Sequence, residues 1–216
     1  MENDIVARLR REYASSGLAE GAAGDDPYPL LRRWLADAMA SGLHEPNAMV
    51  LATVAATGAP SARMVLLKGI DADGLTFFTN YESRKADELA SGAAALVLVW
   101  HPLQRQVRVE GAATRLTRPE NEAYFAVRPR GSQLAAWASP QSQEVPDRGY
   151  LEQRFDTMAA RFGADEPVPC PPYWGGYRVA PTVIEFWQGR VNRLHDRIRY
   201  DGDGDRDGWR RTRLAP

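Results

Sequence analysis

The chain has 216 residues, 44% hydrophobic and 25% charged, with a formal net charge of −1. That suffices for one large globular domain with a substantial core, and it excludes bulk attraction to nucleic acid or an anionic membrane, so any anion site must be a local cluster of cations. No apolar run approaches the ~18 residues that span a bilayer; Met1–Tyr13 is charged and lacks an apolar signal core; and the single cysteine, Cys170, excludes an internal disulfide, in keeping with a reducing cytoplasm.

Residues 3–14 have helical composition, and the Gly/Ala/Asp-rich stretch 16–26 reads as flexible. Leu30, Leu31, Trp34, Leu35 and Met39 recur at near-helical spacing and predict a helix over Pro29–Ala40. The texture then changes to short apolar runs punctuated by Thr57-Gly58 and Asp73-Gly74. Strands are predicted at Ala48–Val54, Arg63–Ile70 and Leu75–Thr79, as a meander. Further strands are predicted at Ala94–Trp100, Gln104–Leu116, Gly176–Trp187, Arg193–Tyr200 and Trp209–Leu214. Helices are predicted at 84–91, 119–127, 132–138 and 147–162. Many short strands with a few helices imply an α+β chain, mainly β with peripheral helices, as a closed or split barrel. No Gly-x-Gly-x-x-Gly follows a strand, which argues against a dinucleotide site. Asp201-Gly202-Asp203-Gly204-Asp205 lacks the glutamate of a calcium loop and reads as a hairpin turn. His44, His101 and His195 show no metal-ligand spacing, so no metal is expected.

Cations stand where local structure disfavours them. Ser83 is a good N-cap for the 84–91 helix, yet Arg84 and Lys85 occupy a first turn that prefers negative charge. An anion at that helix start would explain them; solvated side chains are the other reading. Arg63 and Lys68 have opposite parity on one strand, so either the strand bulges or they serve different groups. Tyr124 and Arg128 share a helix face, Pro129 ends that helix, and Ser132 follows as the N-cap of the next, a second phosphate cradle. Arg193, His195 and Arg197 share one face of the predicted strand, which is either a solvated basic edge or a pocket wall facing a planar anion.

Glu185-Phe186-Trp187-Gln188, four residues, then Arg193-Leu194-His195-Asp196-Arg197 resembles the C-terminal signature of the pyridoxine (pyridoxamine) 5′-phosphate oxidases, FMN enzymes that make pyridoxal 5′-phosphate. The resemblance extends from Arg10 to Arg213-Leu214-Ala215-Pro216. It implies an FMN-binding split barrel over residues 27–216, with 1–26 as a flexible segment whose Arg10-Arg11-Glu12-Tyr13 closes over the active site. It implies an FMN phosphate clamp of Arg63, Arg84 and Lys85. Flavin contacts would come from Met64, Val65, Leu66, Leu67, Lys68, Phe78 and Thr79, from Gln106 at the ring edge, and from Gln141 and Ser142. Pro140 and Gln143 flank that last pair and depart from the family pattern. Trp187 packs on the flavin or fills the core, and Arg197 orients the flavin. Lys68, Tyr124, Arg128 and Ser132 would hold the substrate phosphate. Arg193 and His195 would contact the substrate beside the reacting carbon, as catalytic residues.

The implied reaction oxidises pyridoxamine or pyridoxine 5′-phosphate with dioxygen, releasing hydrogen peroxide, and ammonia from the amine. A homodimer with flavin at the subunit interface is implied as well. Two other readings stand beside it: a flavin oxidase of the same fold acting on a phenazine precursor, and a non-catalytic flavin-binding module.

Overall fold

The computed structural model describes residues 17–202 and 208–216. It contains nine strands and six α-helices among those residues. In chain order these are α1 (Glu20–Ala23), α2 (Pro27–Ala40), β1 (Ala48–Val54), β2 (Pro60–Leu66), β3 (Gly69–Asp71), β4 (Gly74–Asn80), α3 (Arg84–Glu88), β5 (Ala93–Trp100), β6 (Arg105–Arg115), α4 (Arg118–Ala126), α5 (Arg130–Ala138), α6 (Arg148–Phe162), β7 (Trp174–Gln188), β8 (Asp196–Gly202) and β9 (Trp209–Leu214). The strands form one sheet in the order β2-β1-β5-β6-β7-β4-β3, with β8 on β7 and β9 on β8. The pairs β3–β4, β4–β7, β7–β8 and β8–β9 are antiparallel. The expected mainly antiparallel α+β architecture is therefore present, and among the described residues the strand path does not close on itself. No helix is long and apolar enough to cross a membrane among those residues.

The chain divides into two compact units: the described residues of Met1–Val50, Leu96–Glu110 and Pro181–Pro216, and those of Leu51–Ala95 and Gly111–Ala180. In the first, α2 begins two residues before its predicted start. Asp26 accepts from the Tyr28 amide and Pro27 occupies the first helical position, which its fixed φ and missing N–H suit. Its apolar face buries Leu30, Leu31 and Trp34, and Trp34 meets Phe186 edge-on at 5.2 Å. Composition predicts flexibility over 16–26, but residues 17–26 are tied down. Leu18 and Ala23 are buried, the Leu18 amide donates to Asp196, and the Tyr200 hydroxyl donates to the carbonyls of Ala23 and Gly24. The predicted helix at 3–14, the Arg10–Tyr13 segment and most of the 201–205 turn lie outside the described residues.

In the second unit, α4, α5 and α6 pack around Phe125, Leu134, Val168, Cys170 and Trp174. Thr117 and Glu120 form a reciprocal capping box that starts α4. The predicted strand 63–70 is instead two strands, broken at Leu67–Lys68. Gly74 closes the β3–β4 turn at φ 140, where a Cβ would lie 2.1 Å from the Val179 carbonyl oxygen. Only glycine fits so close a backbone approach.

A cation-lined candidate active site

In the second unit a cavity of about 460 Å³ opens between the β2–β4 region, α4, α5 and the start of β7. Met64, Val65, Leu66, Lys68, Phe78, Thr79, Lys85, Tyr124, Arg128, Ser132 and Gln141 all line it. Sequences far apart in the chain thus meet, and substrate-side and cofactor-side candidates share one space. Leu67 is buried and does not line it. Asn80, Val127, Pro129 and Trp174 complete the wall. The lining holds three cations and no carboxylate.

Aromatic packing fixes one side. Phe78 stacks on Tyr124 at 3.9 Å and on Trp174 at 5.3 Å, and the Arg128 guanidinium lies 4.5 Å from the Trp174 ring centroid. Burial disfavours the charged form of Arg128 and pulls its pKa down, yet a guanidinium stays charged. Its Nη1 is buried with no hydrogen-bond partner. Lys85 Nζ donates to Ser83 Oγ (3.0 Å) and Gln141 Oε1 (2.6 Å), both neutral. Burial first, then the nearby Arg63, lower its pKa. An uncompensated buried charge is costly. A phosphate or other anion in this cavity would complete both groups.

Three expectations need correction here. Ser83 does not cap α3 through its side chain; its hydroxyl donates to the Asn80 carbonyl instead. Ser132 is not an N-cap. Helix α5 starts at Arg130 behind Pro129, so Ser132 sits inside its first turn. Arg63 and Arg84 do not line the cavity. Both converge on Glu88: Arg63 Nη2 at 2.9 Å and Arg84 Nε at 2.8 Å. Thr53 Oγ1 (2.5 Å) and Ser61 Oγ (2.6 Å) donate to the same carboxylate, and Arg63 also donates to both hydroxyls. The Ser61 and Thr53 hydroxyls, with the two arginines, hold Glu88 down to about 2 against the effect of burial. Sequence reasoning missed Glu88, although its i,i+4 spacing from Arg84 was a usable signal. The strand break at Leu67–Lys68 separates the two: Lys68 lines the cavity and Arg63 pairs with Glu88.

The first unit carries the remaining candidates. Arg193, His195 and Arg197 do not share a strand face, because β8 begins only at Asp196. Arg193 ends a 3-10 turn, and Asn192 and Arg193 are both left-handed (φ 56 and 60). His195 lies against Trp187 with ring centroids 4.6 Å apart. Its Nδ1 accepts from the Arg190 amide at 3.1 Å, which puts the proton of the neutral ring on Nε2. Burial and then Arg193 lower its pKa, which favours the neutral ring. Arg197 donates to both oxygens of buried Glu185, at 2.8 and 3.1 Å, and to the Ala215 carbonyl. Trp187 is not core. It lines a cavity of about 360 Å³ with Gln106, Arg105, Gln104, His101 and Val99. Gln141 and the left-handed Ser142 (φ 71) lie in an exposed loop of the second unit.

Fold and site together define an antiparallel α+β protein whose cation-lined, aromatic-walled cavity suits a small anion. The chain belongs to the pyridoxamine 5′-phosphate oxidase family: the family model of that description matches residues 35–162. A second model, the pyridoxine 5′-phosphate oxidase C-terminal dimerisation region, matches residues 174–216. The chain is 56% identical to a pyridoxine/pyridoxamine 5′-phosphate oxidase of Rubrobacter xylanophilus, over 98% of this chain and 96% of that protein. It is 52% identical to the same-named protein of Salinibacter ruber, over 98% and 99%. The fold is similar to that of PhzG from Burkholderia lata in complex with tetrahydrophenazine-1-carboxylic acid. That match has a TM-score of 0.85 and 35% identity, over 93% of this chain and 98% of that one. An FMN-binding protein of Nostoc punctiforme related to pyridoxamine 5′-phosphate oxidase shares the fold at TM-score 0.71 and 20% identity, over 88% and 98%.

Proposed function

We propose that this chain is an FMN-dependent oxidase converting pyridoxamine and pyridoxine 5′-phosphate to pyridoxal 5′-phosphate with dioxygen. One structural observation carries the substrate class: a cavity with Lys68, Lys85 and Arg128, no carboxylate, and a buried Arg128 Nη1 without a partner. Full-length identity above 50% to two oxidases of that name supports the reaction. Lys68, Tyr124, Arg128 and Ser132 would hold the substrate phosphate. Lys85, Thr79 and Gln141, already joined by hydrogen bonds, would hold FMN on the same wall. Gln106 and Trp187 line a separate cavity of the first unit, and a contact of theirs with the flavin ring rests on the family resemblance. When bound, FMN would supply the two-electron redox chemistry, with dioxygen as the final oxidant and hydrogen peroxide as its product.

The residues themselves bind, orient and position charge. Arg193 adopts a left-handed backbone that costs about 1–3 kcal/mol, and such cost is tolerated where side-chain position matters. A guanidinium is a poor base, so the role for Arg193 in this reading is to stabilise developing charge. His195 is already an acceptor at Nδ1, which suits it to donate from Nε2. A homodimer with the site at the subunit interface, and a cytoplasmic location, belong to this reading. The dimerisation-region match at 174–216 supports the former and the free thiol of Cys170 the latter.

Incubating the purified protein with pyridoxamine 5′-phosphate, FMN and air should yield pyridoxal 5′-phosphate and peroxide in equal amounts. No aldehyde product would refute the activity. The likeness to PhzG favours a second reading, oxidation of a tricyclic carboxylate, and turnover of such a compound but not of the phosphate ester would select it. Arg193→Leu should lower turnover more than about tenfold, a loss above ~1.4 kcal/mol of transition-state stabilisation, with flavin retained. Unchanged turnover would make Arg193 structural. His195→Asn should cost less than about tenfold. Any acid limb due to His195 should lie below about 6.5, because its pKa is depressed. A severe loss together with disappearance of that limb would mean His195 moves a proton.

A further inference from the structure

Arg178 does not line the cavity, yet its guanidinium joins β3, which follows Lys68, to α4, which leads into Arg128. It projects from β7 opposite Thr76 of β4. Its Nη2 donates to Asp71 Oδ2 at 3.3 Å and to Glu120 Oε1 at 3.1 Å. Each carboxylate uses its other oxygen to set its own element. Asp71 Oδ1 accepts from the amides of Asp73 (2.8 Å) and Gly74 (3.0 Å), closing the turn just beyond Lys68. Glu120 Oε2 accepts from the Thr117 amide (2.8 Å) and hydroxyl (2.6 Å), which starts α4. Glu120 and Tyr124 are four apart on α4, and Arg128 follows just past its end with its amide bonded to the Phe125 carbonyl, so a shift of α4 carries both cradle residues. The Lys68 amide is bonded to the carbonyl of Thr76, the residue opposite Arg178.

We propose that Arg178 is a positioning residue: it fixes the separation between the Lys68 end of the β2–β3 break and α4, with Tyr124 on it and Arg128 just past its end, and so sets the affinity for the substrate phosphate. This rests on the phosphate-ester reading above. Asp71 and Glu120 are both more than a third exposed, at 47% and 39% of the side chain. Ion pairs so exposed contribute little to global stability. Displacements well below 1 Å nonetheless matter where several donors must meet one phosphate. The signature is thus a change in KM with little change in melting temperature.

The test uses the FMN-loaded enzyme with Arg178→Met, which keeps length and removes every donor, and Arg178→Lys, which keeps the charge but carries its donors on a flexible stem instead of a rigid plane. KM for pyridoxamine 5′-phosphate and the inhibition constant of inorganic phosphate should rise together, by roughly tenfold in the Met variant and less in the Lys variant. kcat and FMN affinity should stay within about twofold. Unchanged KM and phosphate inhibition, or a proportional fall in kcat and FMN affinity, would overturn the proposal. If Arg178→Met fails to fold, Asp71→Asn and Glu120→Gln are read the same way; a rise in KM in both supports it, and no rise overturns it. Direct phosphate binding, followed by tryptophan fluorescence through Trp174, separates the two readings. A wild type that never oxidises the ester sinks the oxidase reading, whereas equal phosphate affinity in wild type and Arg178→Met sinks this one.

Discussion

Replacing Glu88 with alanine is expected to destabilise the protein by about 3–5 kcal/mol, the usual cost of removing one partner from a buried ion pair. The Glu88 side chain is 4% exposed and receives four donors, two from arginines. Without it, Thr53 and Ser61 lose their acceptor, and Arg63, 21% exposed, keeps only hydroxyl and carbonyl partners. For a chain of this size each kcal/mol lowers Tm by roughly 2–4 °C. A calorimetric drop of only a degree or two would mean that the carboxylate contributes little. The pH dependence carries a sign. Glu88 has its folded pKa depressed to about 2, so its stabilisation is complete above the ordinary carboxylate range and is lost as pH falls toward 2. Glu88→Gln should remove that part of the acid-induced loss. An acid profile parallel to wild type would contradict the assignment.

Arg128→Ala is expected to raise KM for pyridoxamine 5′-phosphate roughly ten- to a hundredfold, since a hydrogen bond to a charged group contributes about 1.5–3 kcal/mol. The guanidinium already lies over Trp174 with Nη1 buried and unpartnered, so little reorganisation precedes anion binding. Flavin uptake should change little. Lys85→Ala should show the reverse pattern, because its ammonium is joined to Gln141 on the proposed cofactor side. Both residues line one cavity, which makes this a sharp test of the partition. Equal loss of flavin in the two variants, measured by fluorescence titration, would show a single shared anion site.

Local chemistry was enough to read most elements from the sequence. The period of Leu30, Leu31 and Trp34 marked α2, Thr117 and Pro129 bracketed α4, and alternating apolar runs between glycine turns marked β1, β4 and β5. The candidate cations were legible because Arg84 and Lys85 sit in a first helical turn that disfavours them, and because Arg128 follows Tyr124 at helical spacing and precedes Pro129. Family resemblance, resting on the Glu185–Arg197 run, named the chemistry. Side-chain partners across the fold were not legible. Periodicity makes Arg193, His195 and Arg197 one strand face, but left-handed Asn192 and Arg193 delay β8, and Arg197 turns to Glu185. Spacing hints at the Arg84–Glu88 pair, but it cannot show that Glu88 also gathers Arg63, nor that Arg178 reaches Asp71 and Glu120. Those partners lie 25, 107 and 58 residues apart for Arg63–Glu88, Arg178–Asp71 and Arg178–Glu120. Sequence by itself determined the elements and the supply of cations, because propensity, capping and turn chemistry act over a few residues. Only the tertiary structure decided which cations are neutralised by carboxylates and which face an open cavity, because charge pairing is settled by distance in space.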